Sequence, residues 1–94
     1  MPERPLGRIR AAILSGRYDL TFHAVEEMAE DNLDINDIEN AILNGSIRKT
    51  EMDDPRGPRY TVVGPSVDGT TQVGVVGRFK ETQVFLVITV YEIR

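Results

Sequence analysis

The sequence predicts an α+β domain in which about three N-terminal helices pack on an antiparallel sheet of about four strands. Three observations predict it. Apolar residues recur at helical spacing as far as Gly45, extended runs rich in Val, Ile, Thr and aromatic residues take over from Ser46, and no repeat or low-complexity stretch interrupts the order. Ninety-four residues suit one domain, 1–94, and 40% hydrophobic with 28% charged residues is a composition that folds rather than one that stays disordered.

In the first helix Leu6, Ile9 and Ile13 share a face with Ala12, and Gly16 stands where a left-handed stop places glycine. The stretch "RYDL" reads as an extended link. Thr21 can cap a second helix whose Phe22, Val25, Met28 and Ala29 are expected on the core side, with Glu26, Glu27, Glu30 and Asp31 on a solvated side. The third helix has the clearest start: Asp34 as N-cap, Asp37 three residues on, and Leu33 placed to meet Ile38 as a hydrophobic staple, with Gly45 at its end.

The strands follow as a weak "SIRKTEM", then "RYTVVG", "TQVGVVG" and "QVFLVITVY", separated by the loop or bulge "DDPRGP" and the turns "PSVDGT" and "FKET". The last strand is apolar on both sides, with Val84, Leu86, Ile88 and Val90 on one and Phe85, Val87 and Tyr91 on the other. Three short helices can cover only one sheet face, so a homodimer or a partner complex is expected on the second.

Composition excludes several chemistries. With no cysteine and one histidine, neither disulfides nor a transition-metal site is expected, and no cofactor motif such as a Walker loop or a dinucleotide glycine fingerprint is present. The charged start "MPERPLGRIR" leads into no apolar run, so neither a secretory signal nor a membrane span is expected and the cytoplasm is the default. The net charge of -4 argues against a general nucleic-acid binder, but the cations are concentrated late. Residues 1–45 hold four arginines against nine acids, whereas 46–94 hold seven Lys or Arg against six.

Candidate site residues follow from chemistry. His23, in the first turn of a helix, is either a proton acceptor or a ring bonded to nearby backbone. In "DDPRGPRY", Arg56 and Arg59 present planar forks suited to phosphate or carboxylate, unless they simply pair with Asp53, Asp54 or the acidic helices. Tyr60, Arg78, Thr89 and Tyr91 lie on expected strands and could project from one sheet face.

Taken together, "LTFHAVEEMAEDNLDINDIENAILNG", "DDPRGPRYTVVG" and the closing "VFLVITVYEIR" resemble the small prokaryotic domain-of-unknown-function family 4258, over residues 18–93. Members of that family are similar to RelE-like and MqsR-like toxins, metal-independent ribonucleases with helices packed on an antiparallel sheet, and many are encoded beside a partner. The resemblance implies a RelE-like fold, a toxin–antitoxin setting, RNA as substrate and an antitoxin-like protein as partner. It carries over His23, Arg59, Tyr60, Thr89 and Tyr91, with Arg56 from the same loop. Catalysis would then fall to His23, Arg59 and Tyr91, and RNA or anion binding to Arg56, Arg59, Arg78, Tyr60 and Thr89. The alternative is a non-catalytic protein-binding module of the same fold. Family members often carry arginine where this chain has Glu27 and Asp31, and acids beside a phosphate site predict weakened RNA binding.

Overall fold

The computed structural model describes residues 4–81 and 83–94. The first three residues of the charged amino terminus and Thr82 of the "FKET" turn lie outside the described residues. Helix α1 (Pro5–Leu14) opens on a proline, whose fixed φ suits the first helical turn, and Gly16 stops it at φ 71°. Its Ile9, Ala12 and Ile13 are buried as expected. After β1 (Tyr18–Leu20) come α2 (Phe22–Glu30), α3 (Ile35–Asn44) and the strands β2 (Ser46–Glu51), β3 (Arg59–Pro65), β4 (Gln72–Glu81) and β5 (Val84–Ile93).

The sheet therefore has five strands rather than about four, in the order β1-β5-β4-β3-β2. It is also mixed rather than wholly antiparallel. The segment "RYDL", expected as a link, supplies β1, which runs parallel to β5 with Tyr18 opposite Phe85 and Leu20 opposite Val87. Three residues are too few to display a strand period, and the partner that makes them a strand lies far along the chain.

Thr21 caps α2 and also hooks it to the sheet. Its Oγ1 accepts from Ala24 N at 3.0 Å and donates to Ile88 O at 3.0 Å, while its backbone N–H donates to Val87 O. These bonds set the rotation of the helix, which differs from the sequence reading. Ala24 and Met28 face the core, whereas Phe22, Val25 and Ala29 point outward.

Helix α3 begins with the expected capping box of Asp34 and Asp37. Its C-terminal turn crosses β3 closely: a Cβ on Gly64 would lie 2.0 Å from Ala41 O, and one on Gly45 would lie 2.2 Å from Val63 O. Glycine is required at 45 by this close approach and not by a left-handed cap, since its backbone is extended. From α1, Arg10 donates to Ile42 O and Gly45 O and so satisfies carbonyls at the end of α3.

The faces of β5 are re-phased by a bulge. Gly77 pairs with Val87 and Val76 with Thr89, so Ile88 is the extra residue. Phe85 and Val87 accordingly share the covered face with Val90, and all three are fully buried within the chain. Tyr91 moves to the opposite face with Thr89 and Leu86. The sequence reading had Val90 and Tyr91 the other way round, because strict alternation cannot register an inserted residue. Phe85 and Val87 need no homodimer or partner complex to cover them, since they are fully buried within the chain.

Candidate anion-binding face

Strand alternation and the ladder place the polar candidates on the face of the sheet that the helices leave open. Tyr60 pairs with Gly77 and points into the core, only 6% exposed, so it is a packing residue rather than part of a site. Its neighbours Arg59 and Thr61 point the other way. Thr61, Val76 and Thr89 form one transverse row, and Val63, Gly74 and Tyr91 form the next. Continued by one residue in the other direction, the same ladder sets Arg59 beside Arg78, between Glu51 on β2 and Leu86 on β5. Successive rows on one face are about 7 Å apart.

Each row has a cause in the sequence. Glycine at 74 lets the Tyr91 ring lie down against the sheet, since a Cβ there would stand 2.2 Å from the ring's Cζ. The bulge at Ile88 turns Thr89 and Tyr91 outward together. Alternation from Arg59 would have found Thr61, a buried hydroxyl residue in the middle of the face that the candidate set lacks.

The two arginines define the electrostatics. Arg59 Nη2 reaches Glu51 Oε2 at 3.3 Å, leaving that guanidinium partly neutralised. The Nε atoms of both Arg59 and Arg78 are buried without a hydrogen-bond partner. Buried donors are nearly always paired, and leaving one unmade costs about 1–3 kcal/mol. The row thus carries two unsatisfied charged donors, a kind of group that an anion can satisfy.

Arg56 behaves differently. Its side chain and backbone both bond Asp54 within the loop, closing a turn in which Gly57 sits at φ 118°. The side-chain hydrogen bond from Arg56, reinforced by the backbone one, holds the Asp54 carboxyl below the usual carboxylate range. Arg56 is thus engaged locally, which is the simple pairing the sequence allowed.

His23 lies in the first turn of α2, on one line of the helix with Glu26 and Glu30. Its ring is exposed, with Nε2 3.3 Å from Glu27 Oε1, and the same oxygen accepts from Val90 N at 3.1 Å. Asp31 Oδ2 likewise accepts from Glu92 N at 3.1 Å. Both N–H groups lie beyond the end of β1, where β5 has no neighbouring strand on that side, and α2 provides the missing acceptors. Glu27 and Asp31 are therefore anchors of α2 on the sheet edge, and only Glu26 and Glu30 belong to a solvated face.

Acids also gather at the end of β5, where Asp31, Asp37, Asp68 and Glu92 line a hollow with Thr70 and Thr71. They are occupied: Asp37 accepts from Val67 N, Asp68 from Ser66 and Thr70, and Glu92 from Arg94. Among the described residues no group of His, Cys, Asp and Glu could hold a metal ion, and no helix is long and apolar enough to cross a membrane.

Comparison with known proteins agrees with the quoted motifs at the level of family. No curated protein and no solved structure matches the chain. The model of a family described as a domain of unknown function (DUF4258) matches residues 20–92, from the end of β1 through nearly all of β5. That span contains both arginines, the bulge and the anchored helix, and the chain belongs to the DUF4258 family.

Proposed function

We propose that this protein is a toxin-like, RNA-directed protein whose open sheet face holds the phosphodiester backbone and supports metal-independent endonucleolytic cleavage. The observation that carries the reading is the pair of buried, unpartnered Nε donors on Arg59 and Arg78. A phosphate seated between them would accept from both guanidinium groups, with Thr61 and Thr89 in the next row and Tyr91 beyond. RNA carries its own nucleophile, so the protein need only move protons and stabilise charge. His23 or Tyr91 would take the proton of the ribose 2′-hydroxyl as the 2′-oxygen bonds to phosphorus. The bond to the 5′-oxygen then breaks to leave a 2′,3′-cyclic phosphate, and the leaving oxygen takes its proton from water. Arg59 and Arg78, two rows or about 14 Å from Tyr91, would hold a neighbouring phosphate and so fix the backbone along the face. The RelE-like fold and an antitoxin-like protein partner belong to the same reading.

The test is binding and cleavage of an end-labelled, mixed-sequence RNA pool across a salt series. Replacing Arg59 and Arg78 together by Gln should weaken binding about tenfold or more and flatten the dependence of log affinity on log salt by about 0.7 per lost phosphate contact. His23→Ala or Tyr91→Phe should slow cleavage while leaving binding in place. RNA affinity indifferent to the two arginines would sink the proposal, and binding without cleavage would reduce it to an RNA-binding module.

A further inference from the structure

The outward side of α2 carries an apolar stripe that the fold cannot retract. Phe22 is 79% exposed, Val25 is 47% exposed and Ala29 is also exposed; the three recur at i, i+3 and i+7 and so lie along one line of the helix. An isolated exposed apolar residue needs no explanation, but an aligned set on an ordered helix is the form that partner-binding surfaces take. Its orientation is imposed from the opposite side. Thr21 ties the start of the helix to Val87 and Ile88, while Glu27 and Asp31 are bonded to Val90 and Glu92. Rolling the stripe inward would break all of these bonds at once.

The stripe has an acidic border. Glu26 and Glu30, four residues apart and exposed, run alongside it, and neither takes part in an ion pair among the described residues. We propose that this face of α2 is a docking surface for an amphipathic helical segment of another protein, one with an apolar ridge to cover Phe22 and Val25 and Lys or Arg beside it to meet Glu26 and Glu30. Charge complementarity selects that occupant. RNA would be repelled by the two carboxylates. In a second copy of this chain docked antiparallel about a two-fold axis through the stripe, Glu26 and Glu30 would face like charge. A basic amphipathic helix satisfies both the stripe and its border, in the helix-to-helix mode read as i, i+3, i+7 anchors. The surface lies apart from Arg59 and Arg78 but borders His23, and the inference stands whether or not the open sheet face binds RNA.

The probes are two synthetic helical peptides with the same leucine stripe, one bordered by lysine and the other by glutamate, titrated by fluorescence anisotropy into the full chain. The lysine peptide should bind, and the glutamate peptide at least about tenfold more weakly. Phe22→Ser and Val25→Ser, both at exposed positions, should each weaken the lysine peptide by about tenfold, the effect expected of truncating a central interface anchor. Glu26→Lys combined with Glu30→Lys should reverse the preference between the peptides, a gain that misfolding could not produce. RNA affinity should be unchanged in Phe22→Ser. Absence of lysine-peptide binding, equal binding of the two peptides, or indifference to Phe22→Ser would overturn the proposal. Sedimentation showing a homodimer that Phe22→Ser dissolves would overturn it in favour of a second copy of the chain.

Discussion

On the helix-covered face of the sheet, β3, β4 and β5 present Val62, Val75, Phe85, Val87 and Val90, none of them with exposed surface. On the other face the same strands present Arg59, Thr61, Arg78, Thr89 and Tyr91. Side chains one residue apart thus serve opposite ends. The covered face gains from removing apolar area from water and packing it densely, and aromatic contact adds to it where Phe79 and Phe85 meet edge to face at 5.3 Å. The open face keeps polar donors in position, two of them unsatisfied. The contrast teaches that a strand's hydrophobicity does not reveal which side is functional. That depends on the phase, and in β5 one inserted residue sets the phase.

The contrast can be broken most forcefully at Phe85. Phe85→Ala should cost about 3–5 kcal/mol in urea denaturation, as expected for a large side chain deleted from a closed core. Leu86→Ala, one residue along on the open face, should cost less than half as much. Equal losses at the two positions would show that both faces are packed alike. A smaller effect tests the edge of the sheet. Glu27→Ala and Asp31→Ala should each cost about 1 kcal/mol and speed hydrogen exchange at the Val90 and Glu92 amides, because each removes the acceptor of an N–H at the edge of β5. Glu26→Ala and Glu30→Ala should stay within about 0.5 kcal/mol, as ordinary surface changes do.

A separate effect concerns pH. Burial, together with the hydrogen bond to Glu39, pushes the Tyr18 phenol up to about 12 from its ordinary 10.0. The folded state therefore holds the Tyr18 proton more tightly than the unfolded chain does. The resulting stability is fully present below pH 10 and is lost as pH rises from 10 through 12. Denaturation series at pH 9 and pH 11.5 should show a smaller loss for Tyr18→Phe than for the natural protein. An identical loss would mean that Tyr18 carries none of the pH dependence.

Helix starts and turns were legible because their causes are local. Asp34 and Asp37 form the expected box, Thr21 caps α2, and "DDPRGP" closes a turn through Asp54 and Gly57. What escaped the sequence reading depends on partners far along the chain. The strand at Tyr18–Leu20 exists because β5 is beside it. Phe22 and Val25 face outward because Thr21 is tied to Val87 and Ile88. Glu27 and Asp31 look like any solvated acids until the unpaired N–H groups of β5 are in view. At the site, the arginines could be nominated from their type, but their common row follows only from continuing the β3–β4 register one residue past Tyr60 and Gly77. Tyr60 passed as a candidate because alternation alone does not say which of two neighbours faces the core.

The pairing of β1 with β5 also orders events during synthesis. Of the described strands β5 emerges last from the ribosome, yet it is the neighbour to which β1 pairs and the edge on which α2 is anchored, with Thr21 and Ile88 separated by 67 residues. The β2–β3–β4 meander can form from near neighbours, whereas the N-terminal strand and second helix must wait, with the apolar sides of Leu20, Ala24 and Met28 uncovered. Until β5 is in place the helical half stays unclosed, and interception by a chaperone or by misassembly would be concentrated there.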